Sequence, residues 1–307
     1  MHTGKLANFW LLRILAKLLL SRLPLSYRTW QRLGLFKHGA MEQPAYAYRV
    51  FRARFDGVNF ARRDGGFAAL ELGPGDTLFS ALTARAHGAS ACYLVDVGPF
   101  ARRDLQLYRA MAAFLTEHGL PVPDLAGATS LEELLARCGA QYLTGGLSSL
   151  QALPDRCVDF VWSQAVLEHV RRAELPETLR QLRRVLRDDG ACSHCVDLKD
   201  HLGGALNHLR FSERLWEAEW MVRSGFYTNR VRYTEMLHLF ERAGFAIESV
   251  SPTRWERLPT PRRHLATPFR DLPDEELLVS EFDIILRPQT PDHGPRNTEH
   301  GTWTSST

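Results

Sequence analysis

Glu71, Gly73, Gly75 and Asp96 are the residues whose types and spacing could do chemistry. The segment AALELGPGDTL, residues 68–78, ends an apolar run in an acid and two glycines, and a second run, CYLVDVG, carries Asp96 to the equivalent place one β-α unit later. A strand that stops in a glycine turn exposes bare backbone to a ligand, and a carboxylate at the tip of the next strand can hold a ribose diol. The arrangement describes a nucleoside cofactor site. A dinucleotide fingerprint would need a third glycine where Leu78 stands, so that helix and strand could pack closely. An acid two residues before the first glycine suits a cofactor with a cationic amino-acid end and no pyrophosphate. S-adenosylmethionine is such a cofactor.

Two later segments bear on the same question. VDFVWSQAVLEHV, residues 158–170, reads as a buried strand running into a turn and then a helix. LRRVLRDDGACSHCVDL reads as an amphipathic helix with Leu182, Val185 and Leu186 on one face, stopped near Gly190 and followed by a β-prone run. The glycine segment resembles the E/D-x-G-x-G-x-G signature of class I S-adenosylmethionine-dependent methyltransferases, with Thr77 in place of the last glycine. The other two are similar to that family's fourth strand and loop, and to its fifth strand with the helix before it. The resemblance covers residues 66–198. It implies that Glu71 meets the methionyl ammonium, the backbone at Gly73 and Gly75 the carboxylate side, and Asp96 the ribose hydroxyls. Where many relatives carry an aspartate beside the adenine, this chain offers Gly145, Gly146 and Leu147. Ser163 and Gln164 are expected on the floor near the sulfonium.

Methyl transfer is an in-line displacement, so the protein must align nucleophile, carbon and sulfur and exclude water. A hydroxyl acceptor also needs a base, and histidine titrates near working pH. The candidates are His169, in LEHV after the fourth strand, and His201, in DLKDHL after the fifth, with Asp200 on the same rim. His169 could equally cap or pack the helix after it. Asp197, Asp200 and His201 are also types that a divalent metal takes, but Lys199 beside them argues for an ion pair, and no metal is expected. SGFYTNR crowds hydrogen-bonding groups near tryptophans, which suits a polyhydroxylated acceptor. Tyr227, Asn229 and Arg230 are the substrate candidates, with Asn229 as a helix cap the plainer account.

The elements that must position these residues follow strand-helix alternation, with strands near 68–72, 92–96, 141–144, 158–162, 191–197, 245–250 and 279–286. The expected fold is an α/β, Rossmann-like sheet, mostly parallel, with an antiparallel last strand and helices on both faces. Residues 1–63 form an N-terminal helical and basic cap and 64–287 the methyltransferase domain, in which 199–235 roofs the substrate site. Residues 288–307 form a disordered tail.

At 307 residues with 45% hydrophobic content, the chain can bury one large core or one core with a cap. Five scattered cysteines fit a reducing compartment better than a disulfide framework, and Cys192 and Cys195 read as core packing. Residues 1–70 hold 12 Lys and Arg against 3 acids, which suggests an anionic partner. Residues 1–22 read as an amphipathic helix too short and charged to span a bilayer; it can pack as part of the cap or lie on an anionic membrane surface. The cytoplasm, with peripheral attachment to the inner membrane face, is the expected location. Nucleic acid is a poor fit, because the arginine-aromatic pattern of residues 25–63 does not recur. The function expected is O-methylation of a glycan, glycolipid or small natural product. The alternatives are a dinucleotide-dependent oxidoreductase and a non-catalytic, membrane-associated cofactor-binding protein.

Overall fold

Short apolar runs, bounded by glycine and aspartate turns and separated by amphipathic stretches, can bury both faces only in the middle of a parallel sheet. The computed structural model shows this arrangement. It describes residues 40–61 and 65–289. Within them the first helix is α1 (Pro44–Phe55), followed by β1 (Phe67–Leu72), α2 (Phe79–Ala86), β2 (Ala89–Val95), α3 (Leu105–Glu117) and α4 (Leu131–Arg137). Next come β3 (Ala140–Leu143), α5 (Leu147–Ala152), β4 (Val158–Gln164), α6 (Leu175–Val185) and β5 (Leu186–Asp197). The chain continues through the short helices α7 (Glu213–Trp216) and α8 (Glu219–Val222) to α9 (Tyr233–Arg242) and β6 (Phe245–Arg254). It closes with the one-turn helices α10 (Thr267–Arg270) and α11 (Asp274–Leu277) and with β7 (Val279–Pro288).

Among the described residues the strands form one seven-stranded sheet in the order β3-β2-β1-β4-β5-β7-β6. β1 pairs in parallel with β2 and β4, β2 with β3, and β4 with β5. β7 runs antiparallel to both β5 and β6. The expected Rossmann-like sheet with an antiparallel last strand is therefore the fold observed. β1 and β4 meet side by side, with Glu71 opposite Trp162 and Leu72 opposite Ser163, which brings the glycine turn beside the loop after β4.

The boundary between α6 and β5 differs from expectation. The helix ends at Val185 and the strand begins at Leu186, which pairs with Val158. Asp159 explains the early start. Its carboxylate accepts a hydrogen bond from Ala68 N at 2.8 Å and pairs with Arg187 at 3.1 Å, fastening β1, β4 and the start of β5 at one end of the sheet. Gly190 is required there, since a Cβ would stand 2.8 Å from the Asp159 carbonyl oxygen.

α1 packs its aromatic face on the sheet. Phe51 meets Trp162 edge-on at 5.8 Å, and Phe55 stacks on Phe67 at 5.6 Å. Each buried ring contributes roughly 2 kcal/mol. Cys192 and Cys195 are buried free thiols in β5. The roof has two parts. One, within 199–232, has its own apolar cluster of Leu202, Trp216, Met221, Phe226 and Tyr227. The other, 255–278, packs Leu265 and Leu277 on Leu206 and Leu209. The segment 1–22, expected as an amphipathic helix of the cap or of a membrane surface, and most of the expected tail lie outside the described residues; β7 itself runs to Pro288. Among the described residues no helix is long and apolar enough to cross a membrane.

Candidate active site

The cleft opens at the carboxyl ends of β1, β2 and β4, where ligands of open α/β sheets sit. Gly73 and Gly75 hold φ values of +71° and +68°, which a residue with a side chain rarely adopts. A Cβ at Gly73 would also lie 2.6 Å from Val166, so the glycine turn and the loop after β4 touch. Glu71 is 3% exposed, and its Oε2 has no hydrogen-bond partner. Burial pushes its carboxyl up to about 8; a hydrogen bond from Ser80 opposes that shift and the charge of Asp96 adds to it. Asp96 accepts from Gly75 N at 3.0 Å and from Val97 N at 2.7 Å, which presents its carboxylate at the tip of β2. Gly146 donates to the Asp96 carbonyl at 2.8 Å with φ +56°.

Of the two floor residues, Gln164 stands half-buried at the end of β4. Ser163 is fully buried, with its hydroxyl 2.8 Å from His194 Nδ1 on the neighbouring strand. Adjacent strand residues point to opposite faces, so the two could not both line the floor. Leu147 opens α5 half-buried. Sequence reasoning missed Val97, an apolar side chain 78% exposed at 3.0 Å from where a Gly146 Cβ would sit. Its signal was an apolar residue directly after the acid expected to meet the ribose.

The loop after β4 begins with Ala165 at φ +52°, left-handed backbone for a residue with a side chain, and turns through Leu167–His169. His169 and His201 stand edge to face with centroids 4.6 Å apart, so the structure brings together the two histidines expected on this rim. His169 Nδ1 lies 2.7 Å from the Tyr227 carbonyl oxygen. A carbonyl only accepts, so Nδ1 carries the proton and Nε2 the lone pair.

The three substrate candidates hold the loop and roof together. Asn229 Nδ2 donates to the carbonyls of Leu167 and Val170, its N–H donates to that of Glu168, and its Oδ1 accepts from Val231 N. The Tyr227 hydroxyl donates to Glu217 and accepts from Arg172 N. Arg230 donates to the Phe211 carbonyl, and its guanidinium lies 5.5 Å from the Trp216 ring centre and 5.2 Å from that of Phe269. α9 starts at Tyr233 with Arg232 at the cap position, so Asn229 does not cap it.

Asp200 is a loop organiser in geometry. Its Oδ1 accepts from the N–H groups of Leu202, Gly203 and Gly204, and its Oδ2 from Asn207 N and Nδ2. Burial alone would raise this carboxyl, but the Asn207 N–H and His208 hold it below its ordinary value. Asp197 pairs with Lys199 at 3.2 Å, and Lys199 also reaches Glu281, which gives the ion pair expected there. Sequence reasoning also passed over Glu168. It is 2% exposed, neither carboxylate oxygen makes a well-formed hydrogen bond, and burial pushes its carboxyl well above the usual range against the weaker pull of the Glu168 and Asp197 backbone N–H groups.

Residues 70–193, from β1 into β5, match the family model of a methyltransferase domain. The chain carries a class I methyltransferase domain. Its cofactor is S-adenosylmethionine. The methyltransferase cleft fits that cofactor: an unpaired buried oxygen on Glu71 suits an ammonium, and the two left-handed glycines leave no side chain between ligand and backbone. The antiparallel β7 between β5 and β6 departs from the 3-2-1-4-5-6 dinucleotide sheet and removes the oxidoreductase alternative.

Solved structures of similar fold include an S-adenosylmethionine-dependent methyltransferase from Mesorhizobium loti, at 20% identity over 81% of this chain and 98% of that one, with a TM-score of 0.42. A Haloferax volcanii methyltransferase complexed with the Trm112 activator shows 16% identity over 83% and 91% of the two chains, with a TM-score of 0.42. Mitomycin 7-O-methyltransferase shows 15% identity over 91% and 68%, with a TM-score of 0.44. No curated protein matches this sequence.

Proposed function

We propose that the chain methylates an oxygen of a polyhydroxylated acceptor, a glycan, glycolipid or small natural product. The observation that carries this reading is the His169–His201 pair: His169 lies on the loop whose Val166 touches the glycine turn, and Tyr227 fixes its tautomer and leaves Nε2 to take a proton. S-adenosylmethionine supplies the methyl group and leaves as the neutral thioether. Glu71 holds the ammonium end, Asp96 the ribose hydroxyls, and Val97 with Gly146 and Leu147 the adenine. Asp200, Tyr227, Asn229 and Arg230 position the loops around the acceptor and need not touch it.

The acceptor class rests on the roof. A cavity of about 520 Å³ adjoins the loop after β4 at Arg172 and Arg230, and is walled further by Phe211, Phe269, Glu213 and Glu235. Aromatic faces set among donors and acceptors suit sugar-like surfaces. The glycine turn, His169 and His201 do not line this cavity, which adjoins them through the Tyr227–Arg230 segment that bonds the loop after β4. The test is incubation of extracts with enzyme and deuteriomethyl-labelled cofactor, followed by mass spectrometry. An O-methylated, hydroxyl-rich product gaining one labelled methyl is expected, with formation slowed at least about 100-fold in His169→Ala and His201→Ala, the usual size of a general-base effect. Unchanged turnover in both variants would remove the pair from the chemistry, and a product labelled on nitrogen or carbon would refute the acceptor class.

A further inference from the structure

We propose that Glu168, His169 and His201 bind one divalent cation at the acceptor side of the cleft. One ligand atom from each of the three lies within 4.8 Å of the others. Glu168 is 2% exposed, and neither of its carboxylate oxygens makes a well-formed hydrogen bond, only the backbone N–H groups of Glu168 and Asp197 acting on it. A buried carboxylate is ordinarily paired, bonded or bound to a metal, because leaving it bare forfeits its hydration with nothing in return. The surrounding groups match those of a metal centre. The hydrogen bond from His169 Nδ1–H to the Tyr227 carbonyl, at 2.7 Å, is the outer contact that fixes a ligating imidazole and turns its other nitrogen to the ion. The buried Asn229 amide bonds the carbonyls on either side of Glu168 and His169, so the backbone carrying two of the three ligands is held before any ion arrives. The nearby ammonium of Lys199 is engaged by Asp197 and Glu281.

Ligands about 2.1 Å from a shared ion stand about 3.4 Å apart in a tetrahedral site and no more than about 4.2 Å apart in any, so the cluster must close by roughly 0.6–1.4 Å. His201, exposed in a turn, can supply that movement. Two imidazoles and one carboxylate suit Zn²⁺, Mn²⁺ or Fe²⁺, with Mg²⁺ a weaker match, and leave positions open for water or an acceptor oxygen. With the ion bound, His169 Nε2 would be a ligand, and the ion would take over the part proposed for the free imidazole by lowering the pKa of a coordinated hydroxyl, whose proton would pass to solvent; the ion-free protein would keep the imidazole as the base. That consequence rests on the methyl-transfer reading; the ion site itself does not.

The test uses full-length, tag-free protein stripped with a chelator and titrated separately with Zn²⁺, Mn²⁺ and Mg²⁺ by calorimetry. S-adenosylmethionine affinity is measured on the same preparations. At least one ion is expected to saturate at one per chain. Its affinity should fall at least about tenfold in Glu168→Gln and in His201→Ala, the second an exposed position that leaves the fold alone. Cofactor affinity should change less than about twofold in both, well under the tenfold expected for a lost ligand. Absence of one-per-chain saturation by all three ions, or equal ion affinity in both variants and the unaltered protein, would overturn the site. A chain that binds the ion and not the cofactor would keep this site and count against the methyltransferase role.

Discussion

Glu71 joins the cofactor cleft to pH. Its carboxyl lies at about 8 in the folded chain against an ordinary 4.5, so between those values the folded state holds a proton that the unfolded state has lost. Stability of the cofactor-free protein should therefore fall as pH rises from about 4.5 to about 8, and this slope should vanish in Glu71→Gln. A bound ammonium favours the ionised carboxylate, so cofactor affinity should rise over pH 6 to 8 with release of a proton, read as a buffer-dependent heat in calorimetry. Glu71→Gln should flatten that profile and weaken binding roughly 10- to 100-fold, the value of about 1.5–3 kcal/mol for a hydrogen bond to a charged group. A pH-independent affinity in the unaltered protein would refute Glu71 as the ammonium partner. Glu71 was legible from sequence because its meaning is local, an acid at a fixed distance from a glycine turn. Tyr227 and Asn229 were not, because their partners, at positions 167–172, lie about 60 residues away.

Strands were legible because their signal is periodic and short-ranged; all seven lie where apolar runs meet turn residues. The start of β5 was not. Leu186 to Gly190 continue a helical pattern in sequence, and only the pairing with Val158 and the Asp159–Arg187 contact make them strand. The second half of the roof hid for a similar reason: its leucines are spaced by prolines and charges in no period, and their burial depends on Leu206 and Leu209. The two ends of the roof converge on Arg232, which is 3% exposed. Its guanidinium donates to the carbonyls of Leu198 after β5, Glu276 in α11 and Val279 at the start of β7. Removing it strands these three acceptors, two of them buried, each worth about 1–3 kcal/mol. Arg232→Met should therefore lower stability by at least about 3 kcal/mol in urea unfolding, and S-adenosylmethionine affinity in the folded fraction should stay within about twofold of the unaltered protein, since Arg232 ties roof to sheet and not the glycine turn. A stability loss under 1 kcal/mol would show that the three carbonyls find other donors.

At the scale of the molecule, one sheet edge gathers everything chemical. The glycine turn, Asp96, the Glu168–His169 turn and His201 all follow carboxyl ends of strands, and the antiparallel β7 threads between β5 and β6 without adding to the cleft rim. Such a cleft is held by strand pairing over the whole sheet, so a ligand that fills it should be felt as global stability. For one site with ligand at 100 times its Kd, stabilisation is about 2.7 kcal/mol. In a domain of this size that corresponds to a rise in Tm of roughly 5–10 °C. S-adenosylmethionine should produce that rise in the full chain, growing by about half as much again for each further tenfold excess. NAD at the same concentration should leave Tm unchanged, because the turn has Leu78 where a pyrophosphate-binding helix would need glycine. Equal shifts from both ligands would mean that the cleft recognises adenosine alone and that Glu71 contributes nothing to selection.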